Sequence, residues 1–227
     1  MNGRTKLIVT LAALAVATAV STAQAEVRKG EIIFGPYGLY SLPLDDYPSP
    51  RLDDVPYVDM GADIEPSPGV AGAADRMITP KLSVGGEFKV YFGTVDEAVL
   101  QDFLDFHVPN LDEAEVTWRT VHFGARARYF IQPEKRINPF LHAGVGLYLS
   151  KLLAEFRQIR GSGSTNDFSR SESFTDPGVS FGPGALVRIS KDTRLSVDAI
   201  FTNVFTAERN VRYLGLSLGL LFGVTPQ

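Results

Sequence analysis

The chain has 227 residues, a formal net charge of −4 and no cysteine, which excludes a disulfide framework and a thiolate metal site. The acidic balance argues against a nucleic-acid partner, because such a partner favours a basic face. The composition is 44% hydrophobic with 21 glycines, yet no apolar run of the mature part approaches the roughly 20 residues of a membrane-spanning helix.

The N-terminal segment has the organisation of a secretory signal. Two basic residues precede an uncharged apolar stretch, and Ala23 and Ala25 form the small-x-small pattern that signal peptidase recognises. We therefore predict a signal peptide over residues 1–25, cleaved after Ala25, and a mature domain over residues 26–227. An uncleaved N-terminal anchor is the alternative.

Strict alternation of apolar with polar or small residues dominates the chain after residue 80. In Lys81–Phe92 every second residue is apolar and the others are charged or small, which is the period of a β-strand. The same pattern predicts strands over Thr120–Ile131, Leu141–Ser150, Val179–Ser190, Leu195–Phe205 and Asn210–Gly223. Glu31–Leu42 and Val99–Val108 alternate less cleanly and bring the set to about eight, an even number as in bacterial single-chain barrels.

The chemistry of the two strand faces indicates which face meets lipid. The second face is dense in glycine and serine with sparse charges of both signs, which suits the narrow lumen of a small barrel. The apolar face would then point outward to hydrocarbon. The pattern favours an all-β, closed antiparallel up-and-down transmembrane barrel over a soluble β-sandwich or a lipocalin-like barrel.

Link lengths suggest an orientation with both termini in the periplasm. Gly93–Ala98, Gln132–Asn138 and Lys191–Thr193 are short and polar, as periplasmic turns are. Pro43–Thr79 and Gln158–Thr175 are long, as extracellular loops are, while Pro109–Ala114 and Thr206–Arg209 would be short outer loops. The loop over residues 43–79 is rich in proline and acidic residues, so we predict a solvated acidic loop. A site for a divalent cation or an extracellular partner is the sharper alternative, although no EF-hand-type spacing indicates calcium.

One pair of segments resembles a known family. Asn138–Leu149 reads NPFLHAGVGLYL and follows the ARYF of Ala127–Phe130 after a short charged turn. This is similar to the small outer-membrane β-barrel superfamily that includes OmpA-, OmpX- and OmpW-like proteins. The resemblance implies an outer-membrane location among lipids and lipopolysaccharide. It also implies that Phe222 is the aromatic signal read by the barrel-assembly machinery, although Gly223–Gln227 extend beyond it.

Charged and histidine side chains on the predicted inner faces are expected to form an ion-pair network that plugs the lumen. The residues of this predicted network are Lys81, Glu87, Lys89, Asp105, His122, Arg126, Arg128, His142, Arg188 and Asp198. In the guessed register Arg128 lies near His142, and Asp198 lies diagonal to Arg188. A proton or solute relay is the functional alternative.

No cofactor, metal site or catalytic group is predicted. His107, His122 and His142 are spread along the chain without the spacing of a metal triad, and no serine is marked as a nucleophile. Three function classes stay open: a structural or surface-interaction barrel without an open pore, a conduit for small or hydrophobic solutes as in OmpW-like proteins, and a lipid A-modifying enzyme.

Overall fold

The computed structural model describes residues 28–44, 66–94, 111–159, 165–207 and 210–225, with no side-chain description for 111–116 and for several positions between 152 and 172. These described residues form eight strands: β1 Ile32–Pro43, β2 Ser67–Thr79, β3 Leu82–Thr94, β4 Leu111–Phe130, β5 Ile137–Ile159, β6 Thr165–Arg188, β7 Thr193–Phe205 and β8 Asn210–Val224. Within these ranges no helix is long and apolar enough to cross a membrane.

The strands form a closed barrel in which each pairs antiparallel with its neighbours in sequence, and β1 pairs with β8. The closing seam runs from Ile32 opposite Val224 to Pro43 opposite Tyr213. Closure leaves no open edge in the barrel wall, so each strand has a hydrogen-bonded neighbour on both sides. The predicted fold class is confirmed.

Side chains alternate between the two surfaces of this wall as the pattern predicts. On β3, Ser83 and Glu87 are buried inside while Val84 and Phe88 are exposed outside. On β8, Tyr213 and Leu221 point inward, whereas Leu216, Leu218 and Leu220 are exposed outside. The glycine-and-charge faces therefore line the lumen.

The predicted first loop is partly wrong, because its last third forms a strand. β2 occupies Ser67–Thr79, and residues 45–65 between β1 and β2 lie outside the described residues. The sequence pattern does not predict this strand, because glycine and alanine lie on both faces of β2 and the alternation of apolar and polar residues is weak. The predicted strand Val99–Val108 also lies outside the described residues.

The presence of β2 changes the end of the barrel at which one predicted turn lies. The link between β2 and β3 is only residues 80–81, and β3 ends at the same end of the barrel as β1. Gly93 therefore lies at the opposite end from the predicted turns Gln132–Asn138 and Lys191–Thr193, while residues 95–98 lie outside the described residues. We call the end that carries the 80–81, 131–136 and 189–192 links the turn end, and the opposite end the loop end.

Three strands continue beyond the barrel wall at the loop end. β5 and β6 stay paired out to Ile159 opposite Thr165, while β6 meets β7 only from Gly178 onward. The predicted loop Gln158–Thr175 is thus mostly paired strand, and β4 begins at Leu111 inside the predicted loop Pro109–Ala114. In the β6 extension, residues 165–177, both alternating sets of residues are mostly polar, so the extension lacks the apolar alternation that predicts a membrane strand.

Candidate functional site

At the centre of the lumen, the carboxylate of Asp75 binds two arginines. Asp75 of β2 accepts two hydrogen bonds from Arg126 of β4, at 2.9 Å to Nε and 2.9 Å to Nη2. Arg128, two residues further along β4, donates to the same carboxylate through Nη2. This forked geometry is the strong form of an ion pair, and all three side chains are almost fully buried.

A second carboxylate extends the cluster towards the loop end. Glu87 of β3 lies 2.7 Å from Lys89 Nζ and 3.4 Å from Arg126 Nη1. The ring of His122 approaches the same carboxylate at 3.8 Å. Tyr37 of β1 completes the cluster, because its hydroxyl accepts hydrogen bonds from Arg126 Nη2 at 3.1 Å and Arg128 Nη2 at 3.4 Å. Four neighbouring strands are thereby linked through the interior.

The two described histidines lie in separate environments. The ring of His122 stacks on Tyr148 with centroids 4.3 Å apart. His142 Nε2 lies 3.1 Å from Ser180 Oγ, within hydrogen-bond distance. Among the residues that the structure describes, no group of three or more potential ligands is arranged to hold a metal ion. His107 and Asp105 lie outside the described residues.

Glycines make room for the stacked rings. Gly124, Gly146 and Gly178 are direct partners across β4, β5 and β6. A Cβ at Gly146 would stand 2.3 Å from His122 Nε2, and one at Gly178 would stand 2.6 Å from the Tyr148 ring. The side chains lie flat against the wall only because these positions have none of their own.

Two predicted network residues lie at the turn end, away from the ion cluster, and a third, Asp198, lies in the lumen without its predicted partner. Lys81 is exposed in the 80–81 turn. Arg188 is half-buried at the turn end, where its guanidinium donates to the backbone oxygens of Ser190 at 2.9 Å and Lys191 at 3.0 Å. Asp198 is buried, but its carboxylate accepts hydrogen bonds from serine hydroxyls instead of Arg188.

The register explains why Asp198 and Arg188 are apart. Asp198 is opposite Gly184, and Arg188 lies four residues further along β6, about 13 Å away. The carboxylate is satisfied by Ser217 Oγ at 2.6 Å and Ser196 Oγ at 3.2 Å. The expected proximity of Arg128 and His142 is matched in register, since the two are direct partners across β4 and β5.

Asp75, the carboxylate that binds both arginines, is not among the predicted network residues, because it lies in the segment that the sequence pattern assigns to a loop. Two arginines on one strand face need a buried counter-charge, and that requirement was the available signal. A second missed pair, Glu31 and Arg194, forms a buried ion pair of 2.6 Å at the turn end.

Apolar layers fill the lumen on both sides of the ion cluster. The turn-end layer contains Ile33, Tyr37, Met77, Phe130, Phe140, Leu186 and Leu221. The loop-end layer contains Tyr91, Tyr148, Val204, Val211 and Tyr213. The cavity between them measures about 30 Å³, which is room for one or two water molecules.

The buried charges of the described residues balance. The carboxylates are those of Glu31, Asp75, Glu87 and Asp198, and the cations are those of Lys89, Arg126, Arg128 and Arg194. Pairing offsets the cost of taking each charge out of water, and an imbalance would leave a charge without a partner. The buried charges of the described lumen therefore sum to zero when its histidines are counted as neutral.

The outer surface carries a broad apolar belt. Side chains such as Phe123, Val145, Leu147, Phe181 and Leu218 are each more than half exposed. From Val121 to Ile131 the belt spans ten residues, roughly 33 Å along the strand and about 25 Å along the barrel axis at a tilt of about 40°. That height matches the hydrocarbon layer, and an exposed belt of this kind marks a membrane surface.

A closed antiparallel barrel with a filled polar interior and an apolar belt is a transmembrane β-barrel. The chain belongs to the outer membrane protein beta-barrel domain family, whose model matches residues 8–222. The protein is thus a small outer-membrane barrel of eight strands.

Two solved structures with TM-scores above 0.5 share this fold at low sequence identity. The outer membrane protein OprG from Pseudomonas aeruginosa is 10% identical with a TM-score of 0.53, and the match covers 88% of this chain and 99% of that one. A major outer membrane protein from Thermus thermophilus is 10% identical with a TM-score of 0.52, covering 85% and 99%. Neisserial surface protein A is 16% identical with a TM-score of 0.47, covering 86% and 99%. No curated protein matches the chain.

Proposed function

We propose that this barrel has a structural or surface-interaction role in the outer membrane, with no open pore and no catalytic activity. The observation that carries the proposal is the filled lumen. An ion-pair cluster crosses the interior between two apolar layers, and the cavity among these side chains is about 30 Å³. A hydrated solute has no continuous path through such an interior.

The energetics of the cluster support a permanent plug. A solute crossing the cluster between Asp75 and Glu87 would have to displace Arg126 from both carboxylates, to which it is bound at 2.9 and 3.4 Å. Separating a buried ion pair without water to replace the partner costs several kcal/mol for each ion. The network therefore supports a sealed barrel over a proton or solute relay.

The partners in this proposal are membrane lipids, including lipopolysaccharide, and the barrel-assembly machinery. Phe222 is exposed at the turn end of β8 and contacts Phe34 of β1, with ring centroids 6.1 Å apart. An outward aromatic side chain at that place supports its role as the assembly signal. In this orientation the loop end faces the cell exterior, and the acidic 43–66 segment would meet an extracellular partner.

Planar-bilayer conductance tests the proposal. We expect no steady unitary current from the wild-type barrel. A variant that removes one charge of each sign, Asp75→Ala with Arg126→Ala, is the matched positive control and should give current steps because it empties the middle of the lumen. Steady unitary currents from the wild-type protein would overturn the proposal and favour the solute conduit.

Mass spectrometry of lipid A tests the absence of catalysis. Lipid A from cells with and without the gene should have the same acyl and phosphate composition. A mass difference of one acyl chain or one headgroup substituent that depends on the gene would contradict a purely structural role.

A further inference from the structure

Two cations face each other on the outer surface near the loop end. Arg119 of β4 and Lys151 of β5 are direct partners across the strand pair, and both are exposed. Their neighbours Thr120 and Ser150 are buried in the lumen, so the two cations point outward. Exposed Ser173 of β6 is the direct partner of Lys151 on its other side. We call Arg119, Lys151 and Ser173 the donor row.

The donor row has no negative charge of its own. Among the side chains that the structure describes, none forms an ion pair with Arg119 or Lys151. The exposed carboxylate further along β5 is that of Glu155, four residues or about 13 Å from Lys151. Like charges directly opposite each other destabilise a sheet, so an anion placed between them would stabilise this part of the wall.

The donor row lies at the border of the apolar belt. The guanidinium of Arg119 lies over the ring of Phe92, 5.7 Å from its centroid, which orients it along the surface. One outward position nearer the turn end, Val121 and the exposed Leu149 begin the belt. In a bilayer the donor row is therefore at the level of the lipid headgroups.

The chemistry of the donor row fits phosphate. A guanidinium presents a planar fork that matches two phosphate oxygens, an ammonium adds a point charge, and a serine hydroxyl donates a further hydrogen bond. The acyl chains of the same lipid would lie on the belt below. Resting on the proposed function, we propose that Arg119, Lys151 and Ser173 bind the phosphate of a phosphorylated lipid headgroup in the leaflet at the loop end.

Lipid titration of the folded full-length barrel in detergent, followed by native mass spectrometry, tests this proposal. The two probes are diphosphorylated lipid A and the same lipid without its phosphates. We expect the wild-type barrel to bind the phosphorylated lipid about tenfold more tightly, the effect of one or two charge-assisted hydrogen bonds. The double variant Arg119→Gln/Lys151→Gln should bind both lipids equally, and each single variant should show an intermediate preference.

Arg76→Gln is the matched control, because Arg76 is an exposed outward arginine of β2 at the other end of the belt. It should keep the wild-type preference. A double variant that migrates as a folded barrel and keeps the preference would overturn the inference, as would a wild-type protein that binds both lipids equally. Conductance tests the proposed function separately. A barrel that gives no current and shows no lipid preference would refute only phosphate binding by the donor row. A barrel that conducts and keeps the lipid preference would refute only the proposal that the lumen is closed.

Discussion

Asp75 is the residue on which the interior of this barrel depends. Its carboxylate accepts from both Arg126 and Arg128, and all three side chains are buried among apolar layers. Arg128 also lies over the Phe140 ring at 5.2 Å, so its position is fixed by packing as well as by charge. A change at Asp75 thus affects two cations that cannot reach water without deforming the barrel.

We predict that Asp75→Asn lowers the free energy of unfolding by about 3–5 kcal/mol, because it leaves buried positive charge without a partner. Urea unfolding of the protein in lipid vesicles measures the loss. Glu134→Gln, at an exposed carboxylate of the 131–136 turn, is the control and should change stability by less than about 0.5 kcal/mol.

The double variant Asp75→Asn/Arg128→Gln separates charge balance from simple disruption. It restores neutrality, and we expect it to recover part of the stability lost in the single variant. A double variant no more stable than Asp75→Asn alone would show that the balance of buried charge is not the reason for the loss.

At the scale of the elements, the strand glycines decide how closely β4, β5 and β6 lie to the rings inside. A Cβ at Gly146 would meet not only His122 but also the backbone oxygen of Phe123 at 2.5 Å. Backbone cannot move aside as a flexible side chain can. The strands themselves must therefore shift to accept any larger residue at position 146.

We predict that Gly146→Ala destabilises the barrel by about 1–3 kcal/mol, the usual cost of overpacking. Gly72→Ala is the matched control, since a Cβ at Gly72 meets nothing within 4 Å. The midpoint of urea unfolding should fall for the first variant and stay within error for the second. Equal midpoints would contradict the assignment of Gly146 to a packing role.

The strands that the sequence predicts well are those with one apolar and one small or charged face. β3 and β8 are of this kind, because lipid demands apolar side chains outside and the narrow lumen demands small or paired ones inside. β2 is not predicted, because alanine and glycine are compatible with both the lumen face and the lipid face of a strand. The paired extension of β5 and β6 is not predicted, because a strand outside the membrane does not need one apolar face.

The residues of the candidate site were predictable where they lie on clearly alternating strands. Glu87, Lys89 and Arg126 are found inside because their strands alternate clearly. Register across the sheet, by contrast, cannot be read from one strand, so the diagonal contact of Asp198 with Arg188 was wrong. Asp75 could be assigned only after β2 was known to be a strand.

At the scale of the whole molecule, the ion pair of Glu31 with Arg194 joins the beginning of the barrel to its end. Glu31 precedes β1 and Arg194 is on β7, while a Cβ at Gly223 of β8 would stand 2.2 Å from Glu31 Oε1. The two side chains meet across Gly223 on the inner face of β8, beside the seam where β1 pairs with β8. It therefore stabilises closure itself.

We predict that the wild-type protein resists SDS until heated and migrates faster on a gel when folded. Glu31→Gln should lower the temperature at which the folded band disappears, because Arg194 is left buried without its carboxylate. Glu134→Gln again serves as the control. Identical transition temperatures for all three proteins would show that the seam does not depend on this pair.

The equal number of buried cations and carboxylates has an electrical consequence. A voltage across a membrane acts on charge with about 2.3 kcal/mol per elementary charge per 100 mV. The described interior of this barrel carries four charges of each sign, so an applied voltage of either polarity exerts no net force on it. A membrane potential can therefore act on the described interior only by pulling opposite charges apart, and burial of the ion pairs opposes that separation.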